Sequence, residues 1–265
     1  GIQVVPRREA DLAALRLDFG RKETAARLAG YRFKLDRNPE DEKALFSLAG
    51  MLAELGERDH AIRHLDNAVR VRPDFALALS DLGRLHFLNG DVERAASFFD
   101  RAIAASPALP QAHHNLGTVL LAQRNREEAE AHFRRALEEW PHFAEAHYGL
   151  GEALEARGES EDALRHYRRA ASAKPDFALA HFRVGNLLAK AGAEEASIGH
   201  YEAAIAAAPD FVPARFNRAA VLARQGKTDQ AATALELLLE LEPDHREARE
   251  LLSRIGNLPP KERRR

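Results

Sequence analysis

No cysteine occurs among the 265 residues, so disulfides, thiolate metal centres and cysteine nucleophiles are excluded. That absence leaves the compartment open, because cytoplasmic and periplasmic proteins alike do without the residue. An excess of one charge is missing too: 39 basic residues stand against 41 acidic ones, a formal net charge of −2. The balance argues against a nucleic-acid binder, which needs a basic excess. No run approaches the roughly eighteen apolar residues of a membrane span, so no direct membrane insertion is expected. The chain opens on Gly1 and its single methionine is Met51, so a trimmed chain is expected, with any targeting segment outside it.

Catalytic patterns are also missing. There is no G-x-S-x-G and no phosphate loop, and Gly149-Leu150-Gly151 lacks both a third glycine and a preceding strand. Paired carboxylates such as Glu127-Glu128 and Glu194-Glu195 sit where helices begin, and there they favour the positive end of the macrodipole. His60 and His64 have the i, i+4 spacing of a chelating pair but no third ligand. No metal or other cofactor is expected, and nothing reads as an enzyme.

What the sequence does have is a period. Pro39, Pro73, Pro107, Pro141, Pro175, Pro209 and Pro243 are each 34 residues apart, the mark of stacked supersecondary units. The register gives six units: 42–75, 76–109, 110–143, 144–177, 178–211 and 212–245. Each reads as two helices. Leu45, Leu48, Ala49 and Leu52 show the helical apolar spacing of the first. Gly56, Gly90, Gly158, Gly192 and Gly226 then fit the left-handed residue that ends it. The third unit has Arg124-Asn125 instead, and Asn125 is expected in that conformation, which asparagine tolerates next best.

Small residues recur where two helices would cross. The first helices carry Ala49, Gly83, Gly117, Gly151, Gly185 and Ala219, and the second carry Ala61, Ala95, Ala129, Ala163 and Ala231. Leu65, Phe99, Phe133, Tyr167, Tyr201 and Leu235 recur beside them as larger packing residues. Helices about 8–10 Å apart need small contacts at the crossing and large ones alongside. Gly151 is expected to face Ala163. Arg218 stands where other units have leucine or valine, and it is expected either to reach solvent along its stem or to meet an acid such as Glu236 or Glu240.

In this combination the chain resembles the tetratricopeptide repeat family. The resemblance implies an all-α, right-handed superhelical solenoid of antiparallel helix pairs. Residues 1–41 form an N-terminal helical cap or a linker from something upstream. Residues 246–256 form a C-terminal capping helix bearing Ala248, Leu251, Leu252 and Ile255, and 257–265 a disordered basic tail.

Histidines share repeat positions: His113, His147 and His181 at one, His64, His132, His166 and His200 at another. Equivalent positions lie about a helix spacing apart, so such ladders cannot converge on one metal and read as structural.

The resemblance also implies a concave groove lined by the second, fifth, sixth and ninth positions of each unit. At the fifth these are Phe46, Ser80, His114, Tyr148, Phe182 and Phe216, and at the ninth they include Arg84, Glu152 and Asn186. The site expected on this basis is Arg84, His114, Tyr148, Glu152, Phe182, Asn186 and Phe216. A lysine-based clamp for a terminal carboxylate does not fit, since Phe182, Glu247 and Leu251 replace its cations. An asparagine ladder does not fit either, since only Asn115 and Asn217 hold its position. The implied function is a non-catalytic scaffold that binds a protein or peptide partner, with no nucleic acid. The alternatives are the recognition arm of a larger enzyme or membrane protein, and a self-assembling homo-oligomer.

Overall fold

A computed structural model describes residues 9–256, with side chains from 23 onward, so the basic tail expected over 257–265 lies outside the described residues. Among the described residues there are fourteen helices and no strand. A long α1 (Glu9–Arg37) precedes six pairs. These are α2 (Glu42–Glu54) with α3 (Arg58–Val71), α4 (Ala76–Leu88) with α5 (Val92–Ala105), and α6 (Pro110–Ala122) with α7 (Arg126–Glu139). Then come α8 (Ala144–Ala156) with α9 (Ser160–Ala173), α10 (Ala178–Lys190) with α11 (Glu194–Ala207), and α12 (Val212–Arg224) with α13 (Thr228–Leu241). A short α14 (Arg246–Gly256) follows.

The turn within each pair is the same device six times. Its key residue has positive φ, between 74° and 86° at Gly56, Gly90, Gly158, Gly192 and Gly226. The next residue's amide reaches back to a carbonyl five residues earlier, as in Glu57 to Leu52 at 2.9 Å and Glu159 to Leu154 at 3.0 Å. In the third pair Arg124 takes the left-handed place, at φ 64°, and Asn125 does not; its φ is −86°. The 34-residue register overrides local preference here, because the bond from Asn125 N to Leu120 O, 2.8 Å, needs the bend one residue earlier.

In the pairs α4–α5, α8–α9 and α10–α11 the crossing is set by a ring against a glycine. A Cβ on Gly151 would lie 2.6 Å from Tyr167 Cε1, so the group pressed most closely against Gly151 is the Tyr167 ring. A ring this close needs a bare backbone opposite. Gly83 meets Phe99 and Gly185 meets Tyr201 in the same way, each at 2.6 Å. Phe99, Tyr167 and Tyr201 are at most 1 % exposed.

The helices divide into two compact units, Gly1–Val119 and Leu120–Arg265. The core of the first centres on Leu48, Leu65, Leu79, Leu82 and Leu85, each worth about 1.5–3 kcal/mol when fully buried. Leu28, Tyr31 and Leu35 of α1 pack against it. The core of the second includes Tyr201, Leu222, Leu235 and Leu238, and α14 covers its end with Ala248, Ile255, Leu251 and Leu252. Arg218 reaches Glu202 on α11, with Nη2 2.9 Å from Oε1, and not Glu236 or Glu240 on its own partner helix α13. Its side chain thus leaves α12 toward the preceding unit and stays 30 % exposed.

Candidate functional site

Three of the expected site residues, Tyr148, Phe182 and Phe216, hold equivalent places on α8, α10 and α12. Each is half-buried and backed by a ring from the turn that follows its pair. Tyr148 lies 5.2 Å from Phe177, Phe182 5.0 Å from Phe211, and Phe216 5.1 Å from His245, centroid to centroid. A tilted or edge arrangement suits the quadrupoles of the first two pairs, and the backing ring fixes each exposed face without removing it from water.

Polar groups connect successive first helices beside this row. Arg183 of α10 donates to Glu152 Oε1 on α8 at 3.1 Å and to the Tyr148 hydroxyl at 3.4 Å. Its other terminal nitrogen stands 3.8 Å from Glu155, whose second role is to accept the buried Tyr167 hydroxyl at 2.7 Å. Burial, and then that bond to a carboxylate, push the Tyr167 phenol well above its ordinary value, so it remains a donor. One junction further on, Asn186 Oδ1 accepts from Asn217 Nδ2 at 2.8 Å and from the Tyr201 hydroxyl at 2.9 Å. A cleft of about 460 Å³ opens next to Glu152, Glu155 and Arg183, with Arg124 and Arg126 on its other side.

Glu152, Tyr148, Phe182, Asn186 and Phe216 therefore share one unit and one set of first helices. Arg84 and His114 belong to the other unit. Arg84 is half-buried and pairs with Asp81 at 3.4 Å, where burial raises the aspartate's pKa and the guanidinium opposes the rise. His114 is half-buried, and its carbonyl accepts from Thr118 Oγ1 at 3.0 Å. The expected set left out Glu155, and also Arg183 and Asn217, although these two hold sixth positions of the implied groove. The available signal was complementary residues 31 apart, Glu152 with Arg183 and Asn186 with Asn217.

The histidine ladders are wired to each other. His147 Nε2 lies 3.0 Å from the Pro141 carbonyl, which only accepts, so this nitrogen carries the proton. Its Nδ1 is then an acceptor, to which His166 Nδ1–H donates at 3.0 Å. His181 repeats the pattern with Pro175 and His200, at 3.2 and 3.1 Å. His113 bonds Pro107 O, and Arg215 does the same for Pro209 O. Burial, followed by the neighbouring His147, lowers the His166 pKa to about 4. His60 hydrogen-bonds Glu57 at 3.0 Å, and among the described residues no group of three metal-ligating side chains converges. No helix among them is long and apolar enough to cross a membrane.

Solved structures share this architecture. A chain of the APC/C hetero-tetramer Cut9-Hcn1 superposes with a TM-score of 0.74 at 17 % identity, over 88 % of this chain and 46 % of that one. This chain thus spans under half the length of that relative. Pseudomonas aeruginosa pilF gives 0.73 at 17 % identity, over 80 % and 97 % of the two chains. YrrB, described as a TPR protein with an unusual peptide-binding site, gives 0.53 at 23 % identity, over 69 % and 95 %. At these identities the likeness is one of fold alone. A search of curated proteins gave no match. Family models described as Tetratricopeptide repeat match residues 52–110, 114–176 and 155–210, and a further one matches 188–255. With most of its length matched, the chain belongs to the tetratricopeptide repeat family.

Proposed function

We propose that this protein is a non-catalytic interaction scaffold that holds an extended segment of a partner protein against the first helices α8, α10 and α12. Members of the family are generally non-catalytic interaction modules, and YrrB is described as having a peptide-binding site. The observation that carries the reading is the row Tyr148, Phe182 and Phe216, half-exposed and each braced from behind. Rings held this way lose little entropy on binding and offer apolar faces at a regular spacing. The Glu152–Arg183 and Asn186–Asn217 pairs present mixed donors and acceptors alongside, suited to backbone amides and to fixing register.

The test is to select binders from a randomised peptide library with the intact chain, then titrate them against variants checked for helicity. Aromatic anchors dominate interface energy, so Tyr148→Ala or Phe182→Ala should each weaken binding by about 1–3 kcal/mol. Arg134→Ala, an exposed change on α7, should leave affinity unaltered. No enrichment of peptides, or equal losses for all three variants, would refute the reading.

A further inference from the structure

Beside α9 lies a second cleft, of about 630 Å³, that the peptide reading does not use. Pro141, His142 and His147 form one wall, and Arg168, Arg169 and Ser172 the other; no acidic residue lines it. His147 contributes no charge, because both its ring nitrogens are engaged and burial lowers its pKa. The charge comes from two exposed guanidinium groups, which make no ion pair or hydrogen bond among the described residues.

The repeat supplies its own control. Thirty-four residues earlier, Arg134 and Arg135 occupy the places of Arg168 and Arg169. There Arg135 is neutralised by Glu138 at 2.6 Å and Glu139 at 3.3 Å, and Arg134 by Glu130 at 2.7 Å. In the α8–α9 pair the counterparts of Glu138, Glu139 and Glu130 are Ser172, Ala173 and Leu164. In the next pair the arginines themselves are replaced, by Glu202 and Ala203. Of three successive pairs, only this one presents two uncompensated arginines beside a cleft.

We propose that this cleft binds a phosphoryl group. Two guanidinium forks offer more donors than a single carboxylate accepts, whereas a phosphate presents three acceptor oxygens and nearly two charges. The Ser172 hydroxyl and the His142 ring stand on opposite walls to complete the donor set.

Trp140, the sole tryptophan, adjoins Pro141 in the wall and reports occupancy by its fluorescence. The intact chain is titrated with inorganic phosphate, with a phosphoserine peptide and with its unphosphorylated form, at matched ionic strength, with calorimetry as a second readout. Saturable binding of phosphate and phosphopeptide is expected. Arg168→Gln/Arg169→Gln should weaken it at least about tenfold, the scale of a lost charge-assisted bond. Ser172→Glu/Ala173→Glu, which restores the preceding pair's carboxylates, should do the same, and Arg134→Gln/Arg135→Gln should not. Tighter binding of the phosphopeptide than of free phosphate identifies a modified polypeptide as the source, and equal affinity a free anion. Absence of saturation, or binding unchanged by loss of Arg168 and Arg169, overturns the proposal.

Discussion

Replacing Gly151 by alanine sets two effects against each other. Alanine is the better helix former by about 0.8–1.0 kcal/mol, so on propensity alone the change should stabilise α8. Its Cβ, however, would stand 2.6 and 2.7 Å from Tyr167 Cε1 and Cδ1, where carbons prefer about 3.5–4.0 Å. Relief requires the ring to withdraw by roughly an ångström. Tyr167 is 0 % exposed, rigid beyond its second torsion, and tethered to Glu155 at 2.7 Å, so nothing soft can give way. Overpacking of this kind costs about 1–3 kcal/mol, and the upper half of that range leaves a net loss of about 1–2 kcal/mol. Urea unfolding followed by circular dichroism measures it. The decisive comparison is a cycle with Tyr167→Leu, since Gly151→Ala/Tyr167→Leu recreates the Ala49 with Leu65 and Ala219 with Leu235 combinations found elsewhere in the chain. The double variant should be more stable than the sum of the singles by about 1 kcal/mol or more. Unchanged or raised stability in Gly151→Ala, or additivity within about 0.5 kcal/mol, would show that the ring-on-glycine contact does not set the crossing.

Acid should weaken the fold through the histidine pairs. His166 stays neutral in the fold down to about pH 4, while the unfolded chain takes up its proton near 6.5. Between those values the unfolded state binds more protons, so stability should fall as pH drops from about 6.5 towards about 4; a urea midpoint that is flat across this window would contradict the shift. Arg124→Gly should raise stability by about 0.5–1 kcal/mol, since a left-handed φ costs a side chain about 1–2 kcal/mol and glycine returns part of the gain as entropy. A lower midpoint would mean that the arginine's contacts outweigh its backbone. Arg218→Leu exchanges a partly exposed ion pair for the residue most other units carry, and should leave stability unchanged or up to about 1 kcal/mol higher; a clear loss in calorimetry would give the Glu202 pair a larger role than its exposure allows.

Much of the fold is legible in the residues because a fixed period turns one helical pair into six. The glycine turns, the small crossing residues and the apolar face of α14 all follow from it. At one turn a local preference competes with that period and loses. Asparagine's tolerance of the left-handed region drew attention to Asn125, although counting 34 from Gly90 lands on Arg124. The ring-on-glycine contact is also written in the period: a crossing glycine is accompanied, 16 residues on, by Phe99, Phe133, Tyr167 or Tyr201, and a crossing alanine by Leu65 or Leu235. The candidate site was less legible for a different reason. Fifth positions announce their own rings, but the partner of Glu152 depends on how one pair stacks on the next, and that rise and rotation are written in no single residue. Arg218 shows the same limit: candidate carboxylates existed on α13, yet the bonded one is on α11.

The contacts described above fall into two kinds, and the difference governs what happens when units are shuffled. Gly151 with Tyr167 lies inside one 34-residue segment, so a copied or transplanted segment carries its own crossing with it. Glu152 with Arg183 and Asn186 with Asn217 span a junction. If the segment 144–177 were duplicated in tandem, the first copy's Glu152 would meet the second copy's Gly149, the residue at the place of Arg183, and the bridge would vanish from that joint. A solenoid of this design can therefore lengthen by duplication without losing its interior, yet each new joint starts with a blank polar face. Each segment would carry its own braced ring along, while the polar bridges would depend on which segment follows which, so rearranging the six existing segments would rewrite the joints without a single point mutation.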